Sequence, residues 1–324
     1  MTKNILYVSK APQNHGLPMR YSIREILSGW FGLSRPPFHT VGILPFILGT
    51  VLAYKFTTSF SAIIFILGIF GVILIMLSTY HAGEYFDYRE DEISHRSYRS
   101  NFSGGSGIIQ EGKLPRAVPF WTSIISFTIA GFIGLTLQFY FKTGTYTLLL
   151  GCLGAFPGFF YSTKPIRLVE RGFGEVFIGF CYGWLPVASA YYIQTATIHP
   201  IIHWLSIPIG LTIFNVILLN EFPDYQADKF AGKRNLLNRA GKNTGMIIYV
   251  TFSLLAAAAM LASPLWGVPF KILYFYMPIF IVSLFTVVMM FRGKYEDRKI
   301  LEILCGLNIA VNLGTSLTFI LAYI

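Results

Sequence analysis

Two short acidic stretches of the chain repeat one skeleton, Glu-x-x-Asp-Tyr-x-x-Asp. They are EYFDYRED at 84–91 and EFPDYQAD at 221–228. Only 12% of the residues are charged and 15 are acidic, yet the skeleton positions take six of those acids: Glu84, Asp87, Asp91, Glu221, Asp224 and Asp228. Positions i, i+3 and i+7 share one face of a helix, so each stretch predicts an acidic stripe. Because neighbouring carboxylates repel each other, the two stripes indicate a site for cations.

Magnesium is the cation that this pattern favours, and a diphosphate is its natural companion. Mg²⁺ typically takes one or two carboxylates together with waters and substrate phosphates. Basic residues that could bind phosphate oxygens occur in YSTKPIRLVERG at 161–172 and KFAGKRNLLNRAGK at 229–242. The glycine-rich loop RSNFSGGSGIIQEGKLP at 99–115 predicts either a phosphate cradle of backbone N–H groups or a flexible lid.

The elements that position these acids are membrane helices. The chain has 324 residues, 54% of them hydrophobic, and a soluble domain carries about twice its charged fraction. Apolar runs of about 20 residues predict helices that cross the bilayer. The predicted fold is all-α, with nine transmembrane spans at about 38–57, 60–82, 118–138, 144–162, 173–193, 200–220, 245–263, 270–291 and 301–323. The sixth and ninth spans are the least apolar.

Charge fixes the orientation of the nine spans. Of the 25 Lys and Arg residues, all but Lys55, Lys142 and Lys271 lie on the side that holds the N-terminus and both acidic stretches. The positive-inside rule makes that side cytoplasmic, in a multi-pass protein typical of a prokaryotic inner membrane. The basic residues are spread over separate loops, which argues against nucleic acid as a partner.

Residues 1–36 form a separate cytoplasmic segment before the transmembrane domain at 37–324, and the sequence of residues 21–34 predicts an amphipathic helix on the membrane.

At this point the chain resembles the UbiA superfamily of intramembrane prenyltransferases over nearly its whole length. That family has nine helices, with Asp-rich motifs after the second and sixth. Its first motif is similar to Asn-Asp-x-x-Asp-x-x-x-Asp, and here Gly83 and Glu84 replace the Asn and the first Asp. The AGKRNL stretch at 231–236 and the Arg35-Pro36 pair before the first span also resemble the family. The stretches EYFDY, FSGGSGIIQEGKLP and YSTKPIRLVERGFGEVFIGF look most like the branch that prenylates 1,4-dihydroxy-2-naphthoate in menaquinone synthesis.

The resemblance implies a central cavity and a reaction between a polyprenyl diphosphate and an aromatic acceptor, with membrane lipid around the protein. It implies that Asp87, Asp91, Asp224 and Asp228 hold Mg²⁺ and act in catalysis, with Glu84 and Glu221 assisting as ligands. The diphosphate contacts that it implies are Lys164, Lys229, Arg35 and Tyr161. Breakage of the allylic C–O bond then leaves a cation that attacks the acceptor ring.

Three alternatives to the naphthoate reaction remain at this stage. Some members of the superfamily resemble terpene cyclases, which ionise a diphosphate without an acceptor. Others prenylate 4-hydroxybenzoate or a different acceptor. A non-enzymatic alternative is an ion-coupled transporter, but such a protein is expected to keep its ionisable residues near the middle of the membrane. The prenyl chain length and the oligomeric state do not follow from the sequence.

Overall fold

The computed structural model describes residues 23–97, 100 and 102–324, so the first 22 residues of the predicted N-terminal segment lie outside it. The described residues form only helices and connecting turns. Their α-helices are α1 Ile23–Ser34, α2 Pro36–Thr57, α3 Ala62–Phe86, α4 Tyr88–Ser97, α5 Ala117–Leu135, α6 Thr147–Phe159, α7 Gly174–Tyr182, α8 Trp184–Thr195, α9 Ile201–Ala231, α10 Leu236–Ala240, α11 Lys242–Ala262, α12 Ile272–Phe291 and α13 Arg298–Tyr323. A π-helical turn, Thr136–Tyr140, extends α5, and 3₁₀ turns occupy Leu168–Glu170, Ser263–Trp266 and Lys294–Glu296.

Eight of these segments are long and apolar enough to cross a membrane, judged by length and composition among the described residues. The fourth predicted span, 144–162, is the exception, because its helix is α6 with only 13 residues. At 1.5 Å per residue α6 is about 20 Å long, which is shorter than the hydrocarbon core of about 30 Å. The all-helical membrane fold is confirmed, and the fourth of the nine predicted spans is the short one.

The helices pack as a closed ring in which each span contacts the next along the chain, and α13 returns to α2. The span at Gly174–Thr195 is divided at Gly183 into α7 and α8. The long helix α9 is the most enclosed of these eight spans. In its most apolar 18-residue stretch 67% of the residues are buried, whereas the corresponding share in the span that contains α5 is 22%. At 31 residues α9 is about 46 Å long, so it projects beyond the hydrocarbon and carries the second acidic motif with it.

The first acidic motif does not lie on one uninterrupted helix as predicted. Glu84 is near the end of α3, Asp87 lies at the break between α3 and α4, and Asp91 is on α4. The backbone still continues helically across the break, since the Asp91 N–H donates to the Asp87 carbonyl at 2.9 Å. The motif therefore remains on one side of the chain, while α4 is free to lean toward α9.

The helix α1 occupies the segment for which an amphipathic helix is predicted. Its Leu27 and Phe31 side chains are exposed, and its Leu33 is fully buried against Ile108 and Leu114 of the glycine-rich loop. This packing attaches the loop to α1 at the end of the bundle that holds the acidic motifs.

Small residues permit a close contact between α2 and α8. A Cβ atom on Gly49 of α2 would overlap the Val187 carbonyl oxygen of α8 and lie 2.8 Å from the Ala190 Cβ. Membrane helices commonly use such residues where two backbones approach.

We therefore expect Gly49→Val to destabilise the folded protein by about 1–3 kcal/mol through overpacking. The matched control is Gly131→Val on α5, where an added Cβ would meet nothing within 4 Å. Thermal unfolding in detergent, followed by intrinsic fluorescence, measures both. Equal melting temperatures for the two variants would contradict this packing.

Candidate active site

The two acidic motifs face a common cavity at one end of the bundle. It contains about 1200 Å³ of empty space, its open mouth included. All six skeleton acids line it, and each is less than a tenth exposed: Glu84, Asp87, Asp91, Glu221, Asp224 and Asp228. A direct hydrogen bond joins the motifs, because the Ser94 hydroxyl of α4 donates to Asp224 Oδ1 of α9. We call this space the acid cavity.

Asp87 is held by the loop between α6 and α7. The Ser162 hydroxyl donates to Asp87 Oδ2 at 2.5 Å, and Arg167 Nη2 donates to Asp87 Oδ1 at 2.8 Å. The same Nη2 lies 2.7 Å from Glu90 Oε1, and Arg167 Nη1 lies 2.8 Å from Glu170. One guanidinium thus neutralises part of the first motif and fixes the loop to it.

The Asp91 carboxylate has no hydrogen-bond or ion-pair partner among the described residues. Burial, and then the charges of Glu84 and Asp87, raise the pKa of Asp91 well above its ordinary value. The glycine-rich loop lies directly on this carboxylate, since a Cβ on Gly105 would collide with it. Gly105 also has φ +71°, in the left-handed region that glycine occupies without strain. An unpaired, buried carboxylate of this kind favours a bound cation.

Asp228 in the second motif has two partners from the turn that follows α9. Asn235 Nδ2 donates to Asp228 Oδ2 at 2.9 Å, and Lys233 Nζ lies 3.6 Å from Asp228 Oδ1. Burial alone would lower the pKa of Lys233, but the charges of Asp228, Asp87 and Asp91 raise it well above its ordinary value. Lys233 is therefore a cation placed between the two motifs.

The four aspartates provide the hard oxygen donors that Mg²⁺ prefers. No three His, Cys, Asp or Glu side chains within the described ranges approach closely enough to hold an ion by themselves. Mg²⁺ usually binds through one or two carboxylates and completes its shell with waters and phosphate oxygens. The donor set around the acid cavity fits that mode, with Asp91 as the least compensated carboxylate, and does not fit an ion caged by protein alone.

The diphosphate contacts implied by the resemblance separate into two groups. Arg35 and Tyr161 line the acid cavity, whereas Lys164 and Lys229 are exposed and lie in recesses of the outer surface. The end of α9 explains the difference between Lys229 and Lys233. Gly232, with φ +80°, turns the chain back so that the Lys233 N–H donates to the Asp228 carbonyl at 2.8 Å.

Six further side chains contact the motif carboxylates and are not among the predicted site residues. They are Ser94, Ser106, Ser162, Arg167, Lys233 and Asn235. The sequence singles out the loops that contain Arg167 and Asn235, but position in a loop does not indicate which side chain turns inward. Glu175 is also absent from the predicted site; it is fully buried at the start of α7 and accepts the Leu236 N–H of the turn that follows α9.

A second cavity lies deeper between α2, α3, α5, α6, α7 and α8. It contains about 990 Å³ of empty space, and its lining is mainly apolar. We call it the apolar cavity. Thr79, Tyr161, Ile178 and Tyr182 line both cavities, so the two adjoin. Seven glycines are part of its lining: Gly42, Gly68, Gly71, Gly134, Gly151, Gly154 and Gly158.

Solved structures support the fold. A UbiA homologue from Aeropyrum pernix K1 superposes with a TM-score of 0.66 at 16% identity, over 87% of this chain and 97% of that one. A UbiA homologue from Archaeoglobus fulgidus, bound to GPP and Mg²⁺, gives a TM-score of 0.64 at 14% identity, over 90% and 99% of the two chains.

Sequence comparison gives the family. The 1,4-dihydroxy-2-naphthoate octaprenyltransferase of Bacillus subtilis is 28% identical over 68% of this chain and 67% of its own length. The model of the UbiA prenyltransferase family matches residues 43–307, which include both acidic motifs and most of the bundle. This chain, an integral multi-pass membrane protein, therefore belongs to the UbiA prenyltransferase family of enzymes.

Proposed function

We propose that this prenyltransferase moves a polyprenyl group from its diphosphate to 1,4-dihydroxy-2-naphthoate, with Mg²⁺, in menaquinone synthesis. The observation that carries the proposal is the junction of the two cavities inside the membrane bundle. A prenyl diphosphate has an anionic head and a long apolar tail, and it would place one in each cavity. The excess of Lys and Arg at the acid-cavity end favours the cytoplasmic side for the head.

The head of the substrate would be bound by charges that converge on the acid cavity. Asp87, Asp91, Asp224 and Asp228 would hold Mg²⁺, which when bound neutralises the charge that develops on the leaving diphosphate. Lys233 and Arg35 supply fixed positive charge in the same space. Such preorganised charge, screened from water, stabilises the leaving group as the allylic C–O bond breaks and the oxygen keeps the electron pair.

The reacting carbon would lie at the junction of the cavities, beside Tyr161 and Tyr182. Aromatic faces attract cations, and an apolar wall keeps water away from a carbocation that water would convert to prenol. The acceptor ring would form the new carbon–carbon bond at this point. The new bond would form at the ring carbon that bears the carboxylate. The carboxylate would then leave as carbon dioxide, and the electron pair of the broken ring-to-carboxylate bond would restore the aromatic ring.

The naphthoate acceptor is supported by the name of the Bacillus subtilis relative and by the motifs of the same branch in the sequence. A UbiA-type terpene cyclase and an enzyme for 4-hydroxybenzoate are the competing assignments. Membership of an enzyme family disfavours the transporter.

Product mass distinguishes these assignments when the purified protein is incubated with Mg²⁺, a labelled polyprenyl diphosphate and both acceptors. A prenylated, decarboxylated naphthoquinol is the expected product, and hydrocarbon or prenol without an acceptor adduct would contradict the proposal.

Removal of a motif aspartate should remove activity without unfolding the protein. We expect Asp87→Ala and Asp224→Ala each to lower the rate of prenyl transfer by about 100-fold or more, and EDTA to abolish it. Glu296→Ala is the matched control, since Glu296 is an exposed acid that pairs with Lys242 away from the cavity. Substantial activity in either aspartate variant would show that the acid cavity is not the diphosphate site.

The three lysines near the site should differ in their effect. Lys233→Met should lower kcat/KM for the prenyl diphosphate by about 10-fold or more, because a charge-assisted contact contributes about 1.5–3 kcal/mol. Lys164→Met and Lys229→Met are the controls and should remain within about threefold, since both side chains lie outside the acid cavity. Steady-state kinetics on all three measures this, and the reverse order of effects would place the diphosphate in the outer recesses.

The apolar cavity should set the length of the prenyl chain. Gly71 is buried on α3, and an added Cβ would meet only Ile133, at 3.6 Å, so a larger side chain would enter the cavity. We expect Gly71→Leu to shift the preference toward shorter prenyl diphosphates. Gly131→Leu, on an exposed face of α5, is the control. Competition between diphosphates of different length measures the shift, and an unchanged preference would place the tail elsewhere.

A further inference from the structure

The first acid of each motif is bound to a loop instead of being free in the cavity. The Ser106 N–H donates to Glu84 Oε1 at 2.6 Å, and the Ser106 hydroxyl donates to Glu84 Oε2 at 2.9 Å. Arg35 Nη2 donates to the same Oε1 at 3.1 Å. Both oxygens of Glu84 are therefore engaged, and they fasten the glycine-rich loop and the start of α2 to the end of α3.

The equivalent acid of the second motif makes the same kind of contact. Glu221 Oε2 accepts the Leu237 N–H at 3.1 Å. Glu175, from α7, accepts the adjacent Leu236 N–H on its Oε1, also at 3.1 Å. The two glutamates are 8% and 0% exposed. Together they bind successive backbone N–H groups where the turn after α9 enters α10.

One oxygen of each glutamate in this pair, Glu175 Oε2 and Glu221 Oε1, is buried and has no hydrogen-bond partner within the described part of the chain. The other oxygen of each glutamate accepts a backbone N–H group of the turn. Each of the two carboxylates therefore holds the turn through one oxygen.

The two fastened loops carry the groups that contact the motif aspartates. The loop bound by Glu84 places Gly105 against Asp91, and an added Cβ on Gly104 would lie 3.4 Å from Asp224 Oδ1. The turn bound by Glu221 and Glu175 places Asn235 and Lys233 on Asp228. Fastening each loop therefore fixes the surroundings of three of the four aspartates.

We propose that Glu84, Glu221 and Glu175 are positioning residues, and that neither motif glutamate is a magnesium ligand. Each holds the loop that covers its motif, so that Gly105, Lys233 and Asn235 keep their places on the aspartates. The longer side chain of glutamate gives the reach that this contact needs, which accounts for Glu where Asp is usual in the first motif. The role rests on the proposed function of the acid cavity, since the loops matter through the site they arrange.

Two substitutions at Glu221 separate positioning from ligation. Glu221→Gln keeps the length and an oxygen for the Leu237 N–H, but it removes the charge. Glu221→Asp keeps the charge, but it removes the reach. If Glu221 is a positioning residue, Glu221→Gln should be less damaging than Glu221→Asp. If it is a metal ligand, Glu221→Asp should be less damaging than Glu221→Gln.

The first measurement is hydrogen–deuterium exchange of the complete protein in detergent. We expect Glu221→Asp to speed exchange of the peptide that contains Leu236 and Leu237 by about 2- to 10-fold, as loss of one buried hydrogen bond implies. Glu221→Gln should leave that exchange within about twofold. Glu175→Asp provides a second variant with the same expectation, and Glu84→Asp should speed exchange of the peptide that contains Ser106. Unchanged exchange in all the Asp variants would overturn the proposal.

The second measurement is Mn²⁺ binding in the presence of pyrophosphate, followed by electron paramagnetic resonance. Asp224→Asn should weaken binding by at least about 10-fold and leave the exchange of the turn after α9 unchanged. Glu221→Gln should bind Mn²⁺ within about threefold of the wild type. A 10-fold loss in Glu221→Gln would make Glu221 a ligand and overturn the proposal. Neither readout requires turnover, so failure of the proposed prenyl transfer is detected separately, by product analysis.

With a prenyl diphosphate as substrate, the kinetics provide a third readout. Misplaced loops should raise KM for the diphosphate in Glu221→Asp more than in Glu221→Gln. The concentration of Mg²⁺ that gives half-maximal rate should stay within about threefold in both variants. A larger rise in that concentration for Gln than for Asp would again assign Glu221 to the metal.

Discussion

The structure depends on the burial of carboxylates in a bundle whose other material is apolar. Eight acidic residues of the described chain are buried, all near one end of the helices: Glu84, Asp87, Glu90, Asp91, Glu175, Glu221, Asp224 and Asp228. A buried charge is costly unless it is paired and hydrogen-bonded. Arg35, Arg167 and Lys233 pair some of these acids, and hydroxyl, amide and backbone donors satisfy others. Asp91 is the least compensated, which directs a cation to the space between the motifs.

The sequence predicts the helices and the two motifs because both signals are local. Runs of apolar residues set the spans, and the repeated skeleton marks the acids. The errors arise where local composition does not determine geometry. The fourth predicted span is too long because aromatic residues of the following loop, such as Phe160 and Tyr161, prolong the apolar run beyond α6. The first motif is predicted on one helix, but the helix breaks at Asp87, whose side chain contacts Ser162 and Arg167 from a distant part of the chain.

The direction of single side chains at the site does not follow from the sequence, because it depends on how each helix ends. Lys229 and Lys233 both follow the second motif closely, and only the turn at Gly232 decides that Lys233 faces Asp228 while Lys229 remains outside. Glu175 gives no local signal, since it is an isolated acid at the start of a span. Its role arises from α7 packing against α9, a contact between distant parts of the chain.

The two cavities pose opposite requirements, and the loops around the acid cavity meet both. Ionisation of a diphosphate needs concentrated charge, whereas the resulting carbocation needs surroundings without water. Open loops would admit water to both. A loop without fixed anchors would also lose the alignment of Lys233 with Asp228, on which the electrostatic balance of the second motif depends. Under the proposed function, anchors on Glu84, Glu221 and Glu175 would use three acids to hold the loops over the site and leave the four aspartates to face the diphosphate. This division explains why so apolar a chain retains so many carboxylates in one place.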